Sequence, residues 1–175
     1  MSTTLEFERS EAREKFAVAR HLIACYLSSR AGLEQLGFLR SGRPLQGDYA
    51  EWIVAERLGL QLSRSTVEAH IDATDSASGK TYQIKSRIVA TMQQNTSFDF
   101  RSDEFSFDFL AAVFFDPTFG LLAILRIPRD VVAARSSKTT SRVSFRWNRA
   151  CADHPDIERI FWRDSIAPAA NDDGL

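Results

Sequence analysis

An aspartate, a glutamine and a lysine stand close together in the stretch Ile71 to Arg87, IDATDSASGKTYQIKSR; the first two could hold a metal ion and the third could act on a water beside it. Asp75-Ser76-Ala77-Ser78-Gly79-Lys80 is rich in turn formers. Val67 to Asp72 and Thr81 to Ile88 carry the β-branched and aromatic residues that favour strands. The pattern predicts a β-hairpin. With its turn centred on Ala77 and Ser78, Ile71 faces Ile84, Asp72 faces Gln83 and His70 faces Lys85. Alternation then puts Ile71 and Ile84 on a buried face and Asp72, Gln83, Lys85 and His70 on a polar one, with opposed Cβ atoms ~5 Å apart. One extra residue at Gly79 would turn Asp72 to the wrong face, so turn geometry decides whether the site exists. Asp75 is the rival carboxylate.

A helix must bring in any further acid. Asp48 suits an N-cap, Glu51 stands three residues later as in a capping box, and Gly59 suits the C′ position, which predicts a helix over about Tyr49 to Leu58. Its buried stripe is Ala50, Ile53, Val54 and Leu58. Glu51 lies about 20° from Leu58 at the core margin and Glu56 points to solvent. Glu51 is thus either a site residue or only a capping partner.

The remaining elements read as scaffold. Ala12, Phe16, Ala19, Ile23 and Tyr26 recur at helical spacing, so Ser10 to about Ser29 is an amphipathic helix, and Ala31 to Leu39 is a second one ended by Ser41-Gly42-Arg43-Pro44. Thr91 to Glu104 reads as polar loop. Phe105 to Phe115 and Leu121 to Ile127 are strands of a second, deeper hairpin turning at Asp116-Pro117-Thr118-Phe119-Gly120. Arg129 to Arg135 forms a short helix after Pro128. Arg142 to Trp147 alternates as a strand, with Val143, Phe145 and Trp147 on one side and Arg142, Ser144 and Arg146 on the other. A last short helix starts near Pro155.

At 175 residues the chain fits one domain over 1–164, with a helical scaffold in 1–46, a core in 47–150 and a flexible tail in 165–175. No apolar run approaches the ~20 residues of a membrane span, and the N-terminus lacks a signal-peptide core, so a cytoplasmic protein without membrane contact is expected. Cys25 and Cys151 make no disulfide framework and have no zinc-ligand spacing, which leaves them as packed thiols. A net charge of −1 argues against a strong nonspecific polyanion binder. Locally, Leu121 to Ala150 holds Arg126, Arg129, Arg135, Lys138, Arg142, Arg146 and Arg149 against Asp130 alone, seven minus one, a surplus of six. That surplus either tracks a phosphate backbone or is a solvated face.

Gly47-Asp48-Tyr49-Ala50-Glu51 opening a helix, then Asp72, then Gln83-Ile84-Lys85, resembles the PD-(D/E)xK nuclease superfamily, above all its Mrr-like branch with Gln before x-Lys. The likeness spans roughly Gly47 to Ile127. It implies an α/β, restriction endonuclease-like fold with a central mixed sheet of about five strands flanked by helices. It also implies a divalent-metal-dependent endonuclease hydrolysing DNA, with a homodimer as one way for two single sites to address two strands. On this resemblance Asp72 is the direct carboxylate ligand of Mg²⁺, or of Mn²⁺ as substitute. The Gln83 side-chain carbonyl and the Ile84 backbone carbonyl add neutral oxygens, Glu51 reaches in directly or through water, and Lys85 holds and polarises the attacking water. The alternative is a lapsed module that keeps the fold and binds nucleic acid or a protein partner without turnover. Two departures stand out. Ala69-His70-Ile71 precedes Asp72 in place of the literal Pro. Where the family commonly has a helix between its third and fourth strands, Asp116 leads by a tight turn into another strand.

Overall fold

The computed structural model describes residues 14, 18, 21–22, 24–40, 45–63, 71–101, 105–139 and 142–163. The chain divides into two compact units, Met1–Gly42 and Arg43–Leu175. In the first, residues 24–35 are one uninterrupted helix, so the two helices expected on either side of Ser29 and Ala31 are continuous there. The Arg30–Glu34 ion pair, 3.2 Å and one turn apart, straddles the expected break. Gly37, at φ +78°, ends the helix, with the Phe38 amide donating to the Leu33 carbonyl. Ala12, Phe16, Ala19 and Ile23 lie outside the described residues, as does the tail expected at 165–175. No described helix is long and apolar enough to cross a membrane.

The second unit is a mixed α/β structure. Helix α1 (Leu45–Leu58) is followed by β1 (Gln61–Leu62), β2 (Ala73–Thr74), β3 (Thr81–Ile88), β4 (Thr96–Phe100), β5 (Phe109–Phe115) and β6 (Leu121–Pro128). Then come α2 (Arg129–Ala134), β7 (Ser136–Lys138), β8 (Val143–Trp147), α3 (Arg149–Ala152) and β9 (Glu158–Trp162). Six strands form one sheet in the order β1-β2-β3-β5-β6-β9, antiparallel except for the parallel pair β3–β5. The other three form a second antiparallel sheet, β4-β8-β7.

Each face of the large sheet has its own core. Tyr82, Ile84, Ala111, Val113, Phe115 and Ile124 pack with Ala50, Ile53, Val54 and Ala55 of α1. Leu110, Ala112, Phe114, Leu125 and Ile127 pack with Phe98, Phe145 and Trp147 of the small sheet. Phe114 meets Phe98 edge-on at 5.5 Å and Trp147 at 5.0 Å, and each such fully buried ring stabilises the fold by about 1.5–3 kcal/mol. The large sheet is therefore covered by a helix on one side and mainly by a sheet on the other, where flanking helices were expected. It also has six strands where about five were expected.

Three further expectations change. Thr91 to Glu104 is not all loop, because Thr96–Phe100 is β4, with Phe98 and Phe100 pointing inward. The last short helix does not start near Pro155. Asn148 caps α3 through its side chain, which accepts from the Cys151 amide at 3.2 Å, and the chain then turns into β9. With β1 counted, the connection from third to fourth strand is β3 to β5, and it passes through β4 rather than a helix. The second hairpin, β5–β6, forms as predicted except that its first strand starts at Phe109 and not Phe105, and the inward set Val143, Phe145 and Trp147 is as predicted.

Candidate active site

Next to the turn the hairpin keeps the predicted register, but the expected Asp72–Gln83 and Ile71–Ile84 pairs are not part of the ladder. Ala73 pairs with Tyr82 and Thr74 with Thr81, and the Asp75 amide donates to the Lys80 carbonyl at 2.8 Å. Gly79 adopts φ +70°, a conformation glycine supplies without steric cost, and closes the turn without adding a residue to the ladder. Asp75 is committed to that turn. Its Oδ1 accepts from the Ala77 amide at 2.9 Å and its Oδ2 from the Ser78 hydroxyl at 2.5 Å, which hold its carboxyl below the ordinary aspartate range. Both Asp75 oxygens are thus taken up by the turn.

The irregularity lies at Asp72. Ala73 is registered opposite Tyr82, yet the Asp72 amide donates to the Tyr82 carbonyl at 2.8 Å, so two consecutive residues address one. Such a bulge re-aims the side chain that carries it. The Asp72 carboxylate turns toward β3, where Oδ2 accepts from the Ile84 amide at 2.7 Å and from Gln83 Nε2 at 2.5 Å. The Asp72 carbonyl accepts from the Ser63 amide just beyond β1. A strand residue directs its N–H and C=O to the same side, so the Ile84 carbonyl also faces the edge where Asp72 sits.

Gln83 and Lys85 alternate with Tyr82 and Ile84, and therefore lie on the face away from α1. Lys85 is half-buried with Nζ 5.6 Å from the Phe100 ring centre. Burial lowers its pKa below the ordinary lysine value, while Asp72 opposes that shift by favouring the charged form. Ile84 is buried as expected, but Ile71 is only half-buried. His70 and residues 67–69 of the strand expected over Val67 to Asp72 lie outside the described residues, and its last two, Ile71 and Asp72, precede the strand Ala73–Thr74 instead of forming it.

Glu51 arrives differently. The helix begins at Leu45, so Asp48 is inside the first turn and 1 % exposed rather than at the N-cap expected of it. The far end is as predicted: Gly59 has φ +65° and the Leu60 amide donates to the Ala55 carbonyl at 3.0 Å. Glu51 is buried on α1, which covers the Tyr82 and Ile84 face, and Ser86 Oγ donates to the Gln46 carbonyl at 3.4 Å to tie the helix start to β3. The structure brings Asp72, Gln83, Ile84 and Lys85 together, whereas Glu51 comes from the helix on the opposite face.

No family model and no curated protein matches the chain. The site is therefore read on its own chemistry. Asp72 carboxylate, Gln83 amide and Ile84 peptide oxygens are hard donors of the kind Mg²⁺ takes, and because Gln83 donates through Nε2, its Oε1 is the atom to present to a cation. Among the described residues no three His, Cys, Asp or Glu side chains come together, so an ion here would depend on amide, peptide and water oxygens around Asp72.

Two partners escaped the sequence reading. Arg87 continues the Gln83–Lys85 alternation, a signal present in the sequence, and reaches Asp99 Oδ2 at 3.7 Å. Asp108 clamps the start of β3, accepting from the Thr81 amide at 2.9 Å and from Lys80 Nζ at 3.0 Å. Its carboxyl is held at about 2, chiefly by the Thr81 amide and then by Lys80. Of the seven cations in the basic segment, Arg126 is taken up by Glu158, Tyr82 and the Phe109 ring, and Arg135 contacts the Cys151 sulfur at 3.6 Å. Arg142 and Arg146 are exposed.

Proposed function

We propose that the protein is a divalent-metal-dependent endonuclease hydrolysing DNA phosphodiester bonds, built on a restriction endonuclease-like fold. One observation carries the reading: the bulge at Asp72 delivers a carboxylate to Gln83 and Ile84 beside a half-buried lysine. The mixed sheet with α1 on one face supports the fold assignment, and the tight Asp116 turn from β5 into β6 together with the β4 crossover are this chain's departures from it.

Asp72, Gln83 Oε1 and the Ile84 carbonyl would hold Mg²⁺, or Mn²⁺ in its place. When bound, the ion supplies polarisation of a phosphate oxygen and a more acidic water. Lys85 holds the attacking water against the phosphorus and offsets negative charge as the phosphate is attacked. Phe100, lying against the ammonium, limits its hydration and so strengthens its field at the phosphate. Glu51, buried on α1, would contribute directly or through water.

Single-turnover cleavage of duplex DNA in Mg²⁺ and in Mn²⁺, with metal affinity measured on the same variants, tests the reading. Asp72→Ala abolishes both metal binding and cleavage. Lys85→Ala keeps metal and DNA binding and loses ~10²-fold or more in rate. A Lys85→Ala variant that cuts at the parent rate removes the catalytic assignment.

One observation favours a second reading. Asp72 Oδ2 already accepts two hydrogen bonds that complete the edge of β3, a role that needs no metal. A parent protein that binds DNA and cuts none puts the lapsed, nucleic-acid-binding module ahead.

A further inference from the structure

Two aromatic rings of β4 hold two cations of β3. Lys85 Nζ lies 5.6 Å from the centre of Phe100, and the Arg87 guanidinium lies 5.3 Å from that of Phe98. Both rings belong to the core between the two sheets, so the cations sit at the seam where the sheets meet. Arg87 also pairs with Asp99, whose other oxygen accepts from Ser144 Oγ of β8 at 2.7 Å. Arg101, exposed directly after Phe100, is near enough to Lys85 to oppose its protonation, as Arg87 does.

The seam continues onto the outer face of the small sheet. There, alternation places Ser97 and Asp99 of β4 opposite Arg146 and Ser144 of β8, all four polar, and Arg142 is exposed just before β8. Arg87, Arg101, Arg142 and Arg146 against Asp99, four minus one, leave a surplus of three. Guanidinium groups are donors that phosphate oxygens accept from, and four residues of extended strand set Arg142 and Arg146 about 13 Å apart.

We infer that the run from Lys85 through Arg87 and Arg101 to Arg142 and Arg146 carries the DNA backbone flanking the phosphate that is cut. The starting point rests on the nuclease reading. The occupant, a duplex DNA backbone, follows from the charge surplus and the spacing of the exposed arginines. Arg126 is excluded, because Glu158 and the Phe109 ring already engage it away from the small sheet.

The test uses the full chain carrying Asp72→Asn to prevent turnover, a fluorescein-labelled DNA duplex, and anisotropy over a salt series. Arg101→Ala is expected to flatten the dependence of log affinity on log salt by about one unit, and Arg142→Ala with Arg146→Ala by about two. Arg57→Ala, on the helix over the opposite face, is expected to keep the parent slope. Arg87→Ala also breaks the pair with Asp99, so the decision falls on the exposed arginines. Parent slopes in both the Arg101 and the Arg142/Arg146 variants overturn the inference even if the protein cuts DNA. Equal flattening by Arg57→Ala overturns it too, as does a parent that binds no duplex. Flattened slopes in a protein that never cuts leave the path standing and remove the nuclease reading.

Discussion

Replacing Asp72 by alanine removes the acceptor of two hydrogen bonds and the carboxylate that most favours the charged form of Lys85. The Ile84 amide, in a residue only 6 % exposed, is left without that acceptor. An unsatisfied buried donor costs about 1–3 kcal/mol, and a hydrogen bond to a charged acceptor contributes about 1.5–3. The edge of β3 is partly open to water there, so the expected loss is about 2–4 kcal/mol rather than the full sum. With a urea dependence of about 2 kcal/mol per molar, the unfolding midpoint falls by about 1–2 M. Asp72→Asn keeps an oxygen for the Ile84 amide and is expected to lose about 1 kcal/mol. The assay is urea unfolding followed by tryptophan fluorescence, to which the buried Trp147 contributes, alongside single-turnover cleavage. If Asp72 serves both strand edge and metal, the asparagine variant is folded and inactive while the alanine variant is inactive and visibly weakened. An alanine variant unfolding at the parent midpoint refutes the argument from hydrogen bonding.

Lys85→Met keeps a long side chain against Phe100 and removes a charge that burial disfavours. Its stability is expected to equal or exceed the parent's while cleavage is lost; because the folded pKa is depressed, the parent's penalty is present at neutral pH and lifts as pH rises through that value, so urea midpoints of the two should converge in alkali. Asp108→Asn is expected to cost about 1 kcal/mol at neutral pH, a figure discounted for a side chain 30 % exposed. The carboxyl is depressed from 3.8 to about 2, so its contribution is full above the ordinary value and vanishes as pH falls through about 2; acid titration of the variant should lack that step. Gly120→Ala drives a Cβ into the Asp116 carboxylate, which holds the β5–β6 turn by accepting from the Thr118 amide at 2.8 Å and the Gly120 amide at 2.9 Å, so thermal unfolding should register a loss of about 1–3 kcal/mol.

The hairpin was legible because turn formers and strand formers are sharply separated between Ile71 and Ile88, and because a symmetric turn leaves one register that buries Ile84. The bulge was not, since it arises from the Asp72 carbonyl being drawn to Ser63 and from a carboxylate standing in for a ladder partner. Neither is written in propensity. Strand β4 was hidden by composition: Thr96, Ser97, Asp99 and Arg101 read as loop, although Phe98 and Phe100 alternate with them. Strand β9 was obscured by Pro155, and its Ile160-Phe161-Trp162 run was the signal for it. The start of α1 was misplaced because Asp48 looks like a cap. Its near-complete burial could be known only once the helix had a sheet to lie on.

The second sheet sets an order on folding and synthesis. Strand β4 pairs with β8, Thr96 opposite Trp147, across some fifty residues, whereas α1 to β3 are contiguous and their hairpin closes locally. Contacts so distant in sequence form late, because loop closure must precede them. As the chain leaves the ribosome, the Asp72–Gln83 hairpin can close long before Trp147 has been made. Until then Phe98 and Phe100 have no sheet to join and Lys85 stays hydrated. The nascent chain thus closes the Asp72–Gln83 hairpin before the small sheet exists, so the burial of Lys85 against Phe100 follows the making of β8.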